Sequence, residues 1–246
     1  MGASQRPDSG AVRSRVCLTM TWVTRDDDGA VAATYVAALL RADAVGARST
    51  IDDAIGSGMS VDTAYLDVIA PAMREIGELW ERAEITIADE HLATAITRRV
   101  LATLAGRLPR AQLGAGEPPP GIVVCGCGPE DNHALGAQML ADFFQAAGWT
   151  VLDLGPVTPA ESFAAVAAIH GADVVAVSTS LPEHLDGARA VRRALDGMPN
   201  PPLLAVGGHV YSDHPERVLA IGADLYAPDP AALLAALAAR SGRTSA

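Results

Sequence analysis

From residue 121 to residue 241 the chain alternates short apolar runs with Ala-rich stretches of helical period. The runs fall at 121–125, 150–154, 173–177, 202–206 and 224–227, and the helical stretches at about 133–147, 159–170, 183–196, 214–221 and 230–240. An uninterrupted apolar run of this length suits a strand covered by helices on both faces. Parallel neighbours need a crossover long enough to hold a helix, which is what each Ala-rich stretch supplies. Five βα units therefore predict a doubly wound, five-stranded parallel sheet in flavodoxin-like order, over residues 121–241.

The first half follows a different period. Residues 1–28, with their Ser, Gly, Arg and the run Asp26-Asp27-Asp28, lack sustained periodicity and are expected to form a mobile arm. Over 29–107 the pattern is helical. Val31, Tyr35, Ala38 and Leu39 share one face, and a second segment runs from about Ala44 to Ile55, stopped by Gly56-Ser57-Gly58. Ser60 with Thr63 opens a longer helix carrying Tyr65, Val68, Ile69, Met73, Ile76, Leu79 and Trp80, in which Pro71 is expected to make a kink or be absorbed as a bend. Thr86 followed by Asp89 resembles a capping box, and the helix it opens should bury Leu92, Ile96, Val100 and Leu101. These segments predict a four-helix-type bundle. A Pro- and Gly-rich linker at 108–120 joins it to the α/β half, and 242–246 is a tail.

Charge and cysteine content narrow the function. With 18 Lys and Arg against 29 Asp and Glu, the net charge of −11 repels a phosphate backbone, so no direct nucleic-acid partner is expected. Cys17, Cys125 and Cys127 are too few and too unevenly placed for a disulfide framework and read as reduced thiols. No apolar run approaches the length of a membrane span, and no signal-peptide core precedes the bundle, so no membrane partner and a cytoplasmic location are expected.

The chemistry concentrates where the first strand exits. Asp131-Asn132-His133-Ala134-Leu135-Gly136 places an imidazole on a loop at the edge where open α/β sheets bind ligands. A carboxylate two residues earlier can fix the tautomer and basicity of a metal-reaching histidine. After Gly136, 41 residues intervene before Ser178, which shares a strand exit with Ser180 and Leu181; after Ser180, 26 intervene before Gly207-Gly208 at the next exit. All these residues converge on one edge of one sheet.

Asp131-x-His133-x-x-Gly136, Ser178-x-Ser180-Leu181 and Gly207-Gly208 resemble the cobalamin-binding domain of the base-off, His-on class. The resemblance implies that His133 displaces the cofactor's own base and becomes the lower axial ligand of cobalt. It further implies that Asp131 orients His133, that Ser178 completes the relay, and that the nucleotide tail runs beneath the Ser and Gly positions. Ser180 stands where the family usually has Leu, with Leu181 one position late.

Trp80, followed after nine residues by Glu90-His91, resembles the cap of light-sensing cobalamin proteins, which covers the upper ligand, typically the adenosyl group of adenosylcobalamin. The resemblance implies a stand-alone, non-enzymatic photoreceptor of this family, signalling to a protein partner or by self-association. The short, poorly patterned segment before the bundle sets the expectation that no DNA-binding helix-turn-helix is present. Glu81 occupies the place where the repressors of the group carry a cobalt-capturing histidine. Related stand-alone receptors also hold a bilin, so a non-covalent biliverdin is a further implication. The rival reading is a corrinoid carrier for methyl transfer, with a light-independent cobalamin-dependent interaction module as a third. His184, His209 and His214 lie near later strand exits without an assigned role, and His170 is expected at the surface.

Overall fold

The computed structural model describes residues 26–114, 116–212, 214–240 and 242. Most of the expected N-terminal arm, Cys17 with it, and the tail beyond Gly242 lie outside these residues. Helix α1 (Asp26–Leu40) starts inside the acidic run, not after it.

Helix α2 (Ala44–Gly56) is capped by Asp43, whose side chain accepts from Gly46 N–H. Ser60 caps α3 (Val61–Thr63), which continues through a π-helical segment (Ala64–Ile69) into α4 (Ala70–Glu81). Pro71 thus lies inside a continuous helical run, directly after the π-helical segment, whose wider turn is where the run accommodates the ring and the missing N–H. Thr86 and Asp89 form the capping box of α5 (Ile87–Leu104). Ile96, Val100 and Leu101 are buried as expected, but Leu92 is 48 % exposed. The neighbouring Ala93 is fully buried, so the inward stripe of α5 runs through Ala93, Ile96, Thr97, Val100 and Leu104, and Leu92 lies off it.

The α/β half contains β1 (Ile122–Cys127), α6 (Leu135–Ala146), β2 (Thr150–Asp153), α7 (Ala160–His170), β3 (Val174–Ser178), α8 (Leu185–Asp196), β4 (Leu203–Gly207), α9 (Pro215–Ile221), β5 (Leu225–Tyr226) and α10 (Pro230–Arg240). All strand pairs are parallel and the order is β2-β1-β3-β4-β5, the doubly wound arrangement the alternation predicts. Alternate strand residues face opposite layers. Val124, Val175, Val177, Leu204 and Val206 pack with Phe163 of α7 and Val191 and Leu195 of α8. Val123, Cys125, Val174, Ala176 and Ala205 pack instead with Phe144 of α6 and Leu233 and Leu237 of α10.

Helix α6 is apolar on two sides. Phe144 faces the sheet, while Met139 and Phe143 enter the bundle core with Tyr35, Tyr65 and Ile76. Burying such side chains contributes roughly 1.5–3 kcal/mol each, so the bundle is seated on the helix that starts at the His133 loop. The described residues of 108–120 form neither helix nor strand; Leu108 is buried and Ala111 N–H bonds to Ala146 carbonyl, which ties this segment to the end of α6.

Candidate functional site

Strand β1 runs two residues past the expected boundary because Gly126 and Cys127 still pair with Val177 and Ser178 of β3. A side chain at Gly126 would meet Gly155 carbonyl at 2.8 Å, and that carbonyl accepts the Cys127 N–H. Beyond Cys127 the chain turns sharply: Asp131 N–H reaches Gly128 carbonyl, and Glu130 takes a left-handed conformation with φ of 66°. Val157, β-branched and also left-handed at φ 52°, donates its N–H to Asp131 carbonyl. Each such residue costs on the order of 1–3 kcal/mol, so the surrounding contacts hold this loop in a fixed shape.

That shape places Asp131 under His133. Asp131 is 1 % exposed, and its Oδ1 accepts both His133 N–H at 3.0 Å and His133 Nδ1–H at 2.8 Å. Its Oδ2 accepts Ser180 N–H at 3.3 Å. Because a carboxylate only accepts, Nδ1 carries the ring proton and Nε2 is left with the free lone pair. The His133 side chain is 39 % exposed, so that lone pair is presented at an open edge. The hydrogen bond to Asp131 raises the pKa of His133 from its ordinary 6.5; burial opposes this, and the charges of Asp131, Glu90 and Glu183 add to it. For Asp131, burial pushes the pKa up, but the bonds from His133 and Ser180 and the nearness of His184 outweigh it, and the net direction is down.

Two features depart from what the motif implies. Among the described residues, Asp131 takes its hydrogen bonds from His133 and Ser180, with no bond to the Ser178 hydroxyl. The Ser178 Oγ instead faces Gly136, where a Cβ would meet it at 2.9 Å. The glycine is therefore required for the start of α6 to approach β3. The second departure is His184. Its Nδ1 lies 3.5 Å from Asp131 Oδ1 and its ring centroid is 5.7 Å from that of His133. Pro182 opens a 3-10 turn, Pro182–His184, that folds the imidazole back toward the β1 exit. A strand exit followed by Pro and then His was the available signal.

Gly207 and Gly208 end β4. At Gly208 φ is 112° and a Cβ would stand 2.1 Å from Thr179 carbonyl, so only glycine fits. At Gly207 a Cβ would lie 3.3 Å from Ala227 carbonyl. Asn132 is exposed and Leu181 half-buried on the same edge. His170, His209 and His214 are exposed, the last paired with Glu216. Burial raises both described thiols, Cys127 to about 12, and Cys127 donates to His133 carbonyl, so neither is poised as a thiolate ligand.

Above this edge stands the bundle. Trp80, in the last turn of α4, is 39 % exposed. Glu90, in the first turn of α5, accepts from the Thr94 hydroxyl at 2.8 Å; His91 is 69 % exposed with Nε2 3.7 Å from Glu90. A cleft of about 430 Å³ opens beside the His133 loop, between Arg98 of α5 and Ala134, Gln138 and Asp153 of the α/β half. A partly exposed tryptophan on the cap and a part-exposed histidine with a free Nε2 fit a large flat ligand coordinated by that histidine. They define a helical-cap, parallel α/β protein presenting an oriented histidine at its sheet edge.

Comparisons narrow that class. Two protein-family profiles, both described as B12 binding domain, match residues 31–105 and 121–235. Together they place the chain in the B12-binding, that is cobalamin-binding, domain family. It is 30 % identical over 156 residues to the HTH-type transcriptional repressor CarH of Myxococcus xanthus, a match covering 61 % of this chain and 48 % of CarH. It therefore spans about half the length of that relative. It is 27 % identical over 165 residues to a dimethylamine corrinoid protein of Methanosarcina barkeri, covering 65 % of this chain and 73 % of that protein. In fold it resembles the monomethylamine corrinoid protein of Methanosarcina barkeri, with a TM-score of 0.73 and 20 % identity, covering 86 % of this chain and 99 % of the other. Among the described residues, no helix is long and apolar enough to cross a membrane.

Proposed function

We propose that this chain is a cobalamin-dependent light sensor in which His133 is the lower ligand of cobalt. The observation that carries the reading is the Asp131–His133 couple, which leaves Nε2 unprotonated and outward-facing at the edge of a B12-binding domain. Adenosylcobalamin, when bound, supplies a light-labile cobalt–carbon bond. The chain's own residues do the rest. His133 holds the cofactor from below, and Asp131 keeps the imidazole in the ligating tautomer. Gly136, Gly207 and Gly208 let the strand exits and the start of α6 pack closely, and with Ser178, Ser180 and Leu181 they would line the path of the nucleotide tail. Trp80, Glu90 and His91 form the lid against the upper ligand. Trp80 would pack against the upper ligand, so the packing of the bundle would depend on that ligand, and a protein partner or a second copy would read the difference.

The exposed indole supports this reading, because a large apolar side chain on the open side of a cap is suited to covering a flat ligand. A second reading, a corrinoid carrier in methyl transfer, is favoured by the match to the dimethylamine corrinoid protein over 73 % of its length. One experiment separates them. The full chain is reconstituted with adenosylcobalamin, with and without biliverdin, and its absorption spectrum and hydrodynamic radius are recorded in the dark and after illumination. Light-dependent change in both supports the sensor, and a biliverdin-dependent shift in wavelength would add the second chromophore. A spectrum and radius indifferent to light sink the sensor, and methylation of the reduced cobalt by a methyltransferase supports the carrier.

A further inference from the structure

His184 has no part in the function proposed above, yet it is built into the same cluster. Its Nδ1 is buried, faces Asp131 Oδ1 at 3.5 Å and makes no hydrogen bond. The Nδ1 of His133 lies 2.8 Å from the same oxygen, and the ligand atoms of Asp131, His133 and His184 all fall within 4.8 Å of one another. Two imidazole nitrogens and a carboxylate oxygen are a donor set for a borderline divalent transition-metal ion. Around a tetrahedral ion with ligands at about 2.0–2.1 Å, neighbouring donors sit roughly 3.3 Å apart. The 2.8 and 3.5 Å separations bracket that spacing, and the two imidazole nitrogens lie within 4.8 Å of each other, from where rotation of the rings would bring them to it. Ser180 N–H holds Oδ2, which keeps Oδ1 turned toward both histidines.

We propose that, when no corrinoid is bound, Asp131, His133 and His184 ligate a divalent metal ion of the zinc class, and that this ion and cobalamin exclude one another. The ion site stands on the side-chain cluster alone. The exclusion rests on the reading of His133 as the cobalt ligand, and follows from counting lone pairs. In the hydrogen-bonded state the proton is on Nδ1 and the free pair on Nε2. Ligation through Nδ1 needs the pair there, so the ring proton moves to Nε2 and the carboxylate contact becomes a metal contact. A neutral imidazole has one free pair, and in this tautomer the atom required by cobalt is an N–H donor. Nothing is oxidised or reduced; the ion exchanges bound water for three protein donors.

The untagged, corrinoid-free full chain is titrated with Zn²⁺ by calorimetry and with Cu²⁺ by electron paramagnetic resonance, alongside His184→Gln, His133→Ala and His214→Gln. The expected result is one ion per chain with two nitrogen couplings. Losing even an outer partner of a metal ligand costs about 10–100-fold in affinity, so His184→Gln and His133→Ala should each weaken binding by at least about tenfold. His214→Gln, which alters an exposed pair elsewhere, should leave it unchanged. Matched thermal melts show that each variant is folded. Unaltered affinity in His184→Gln or His133→Ala places the ion elsewhere and overturns the site. Hydroxocobalamin is then added to the zinc-loaded chain: binding weakened by zinc, and restored in His184→Gln, supports exclusion, while a chain holding both at once overturns it. Zinc held by these residues in a chain that takes up no cobalamin upholds the ion site and removes the cobalt reading of His133 instead.

Discussion

Tyr65 of the bundle donates its hydroxyl to Asp142 Oδ2 of α6 at 2.9 Å, and its ring stands edge-on to Phe143 at a centroid distance of 5.5 Å. Tyr65 is fully buried, inside the π-helical segment, and its oxygen also lies 3.2 Å from Leu101 carbonyl. This polar contact joins the cap to the helix whose first turn supports His133. A displacement of the bundle therefore has a direct structural route to α6, through a hydrogen bond and two packed side chains.

Removing that hydroxyl tests the joint. Tyr65→Phe leaves a carboxylate half-buried without its partner, a loss of about 1–3 kcal/mol, visible as a lower midpoint in chemical denaturation. Burial raises the pKa of Asp142, while the Tyr65 bond opposes the rise. A raised carboxyl favours the folded state while protonated, and that contribution is lost as pH rises through its folded pKa. Without Tyr65 the rise is larger, so the cost of Tyr65→Phe should shrink as pH falls into the carboxylate range. Asp142→Asn should relieve most of it. Equal costs at all pH values would contradict the assignment.

The motif residues predict separable effects on cofactor binding. His133→Ala should weaken cobalamin binding or leave it without histidine ligation, read from the absorption spectrum. Asp131→Asn keeps the imidazole but weakens its orientation, and loss of such a partner costs about 10–100-fold in metal affinity. An unchanged His-ligated spectrum in His133→Ala would mean another group holds the cobalt.

The same couple sets a pH window for the stability of the corrinoid-free chain. Asp131, with a lowered pKa, contributes stability that is present above the ordinary 3.8 and lost as pH falls through its folded value. His133, raised chiefly by its bond to Asp131, contributes stability that is full below 6.5 and lost as pH rises through its folded value. Both contributions coexist between 3.8 and 6.5, where denaturation midpoints should reach a plateau. His133→Ala should flatten both limbs, and an unaltered profile would show that the pair is not coupled to folding.

Close approach at α6 gives a prediction that needs two substitutions. Gly136→Ala puts a methyl group 2.9 Å from Ser178 Oγ, a strain worth about 1–3 kcal/mol. Removing the obstacle in Gly136→Ala/Ser178→Ala should recover most of the stability measured by thermal melting. A double variant as unstable as the sum of its parts would mean that the glycine answers to something other than the serine.

Strand positions were legible because continuous Val-rich runs have few alternatives once both faces must be covered. The β1 boundary was not, since Gly126-Cys127-Gly128 looks like a turn until pairing with Val177 and Ser178 overrides it. Leu92 was set on the inward face, but the buried stripe passes through Ala93 and Thr97, a small and a polar residue that hydropathy does not mark as core. The spacing of the Asp131, His133, Ser178 and Gly207-Gly208 elements was visible because each sits at a strand exit. His184 was not, because its place in the cluster depends on the 3-10 turn after Pro182 and on Gly187 packing against Pro129 carbonyl, where a Cβ would stand only 3.1 Å away.

Trp80 carries the prediction that reaches furthest into function. Trp80 is 39 % exposed and so more than half buried; Trp80→Ala should cost the corrinoid-free chain about 1–3 kcal/mol, with a thermal melt showing that the variant remains folded. Cobalamin held from below by His133 should still bind with a histidine-ligated spectrum. What should change is the response. Without the indole the upper ligand loses its cover, and its departure no longer removes a packing partner from the bundle. Illumination should then bleach the spectrum of Trp80→Ala while leaving its hydrodynamic radius close to the dark value. A light-driven change in radius equal to that of the unaltered chain would detach Trp80 from signalling and leave it as a surface residue of α4.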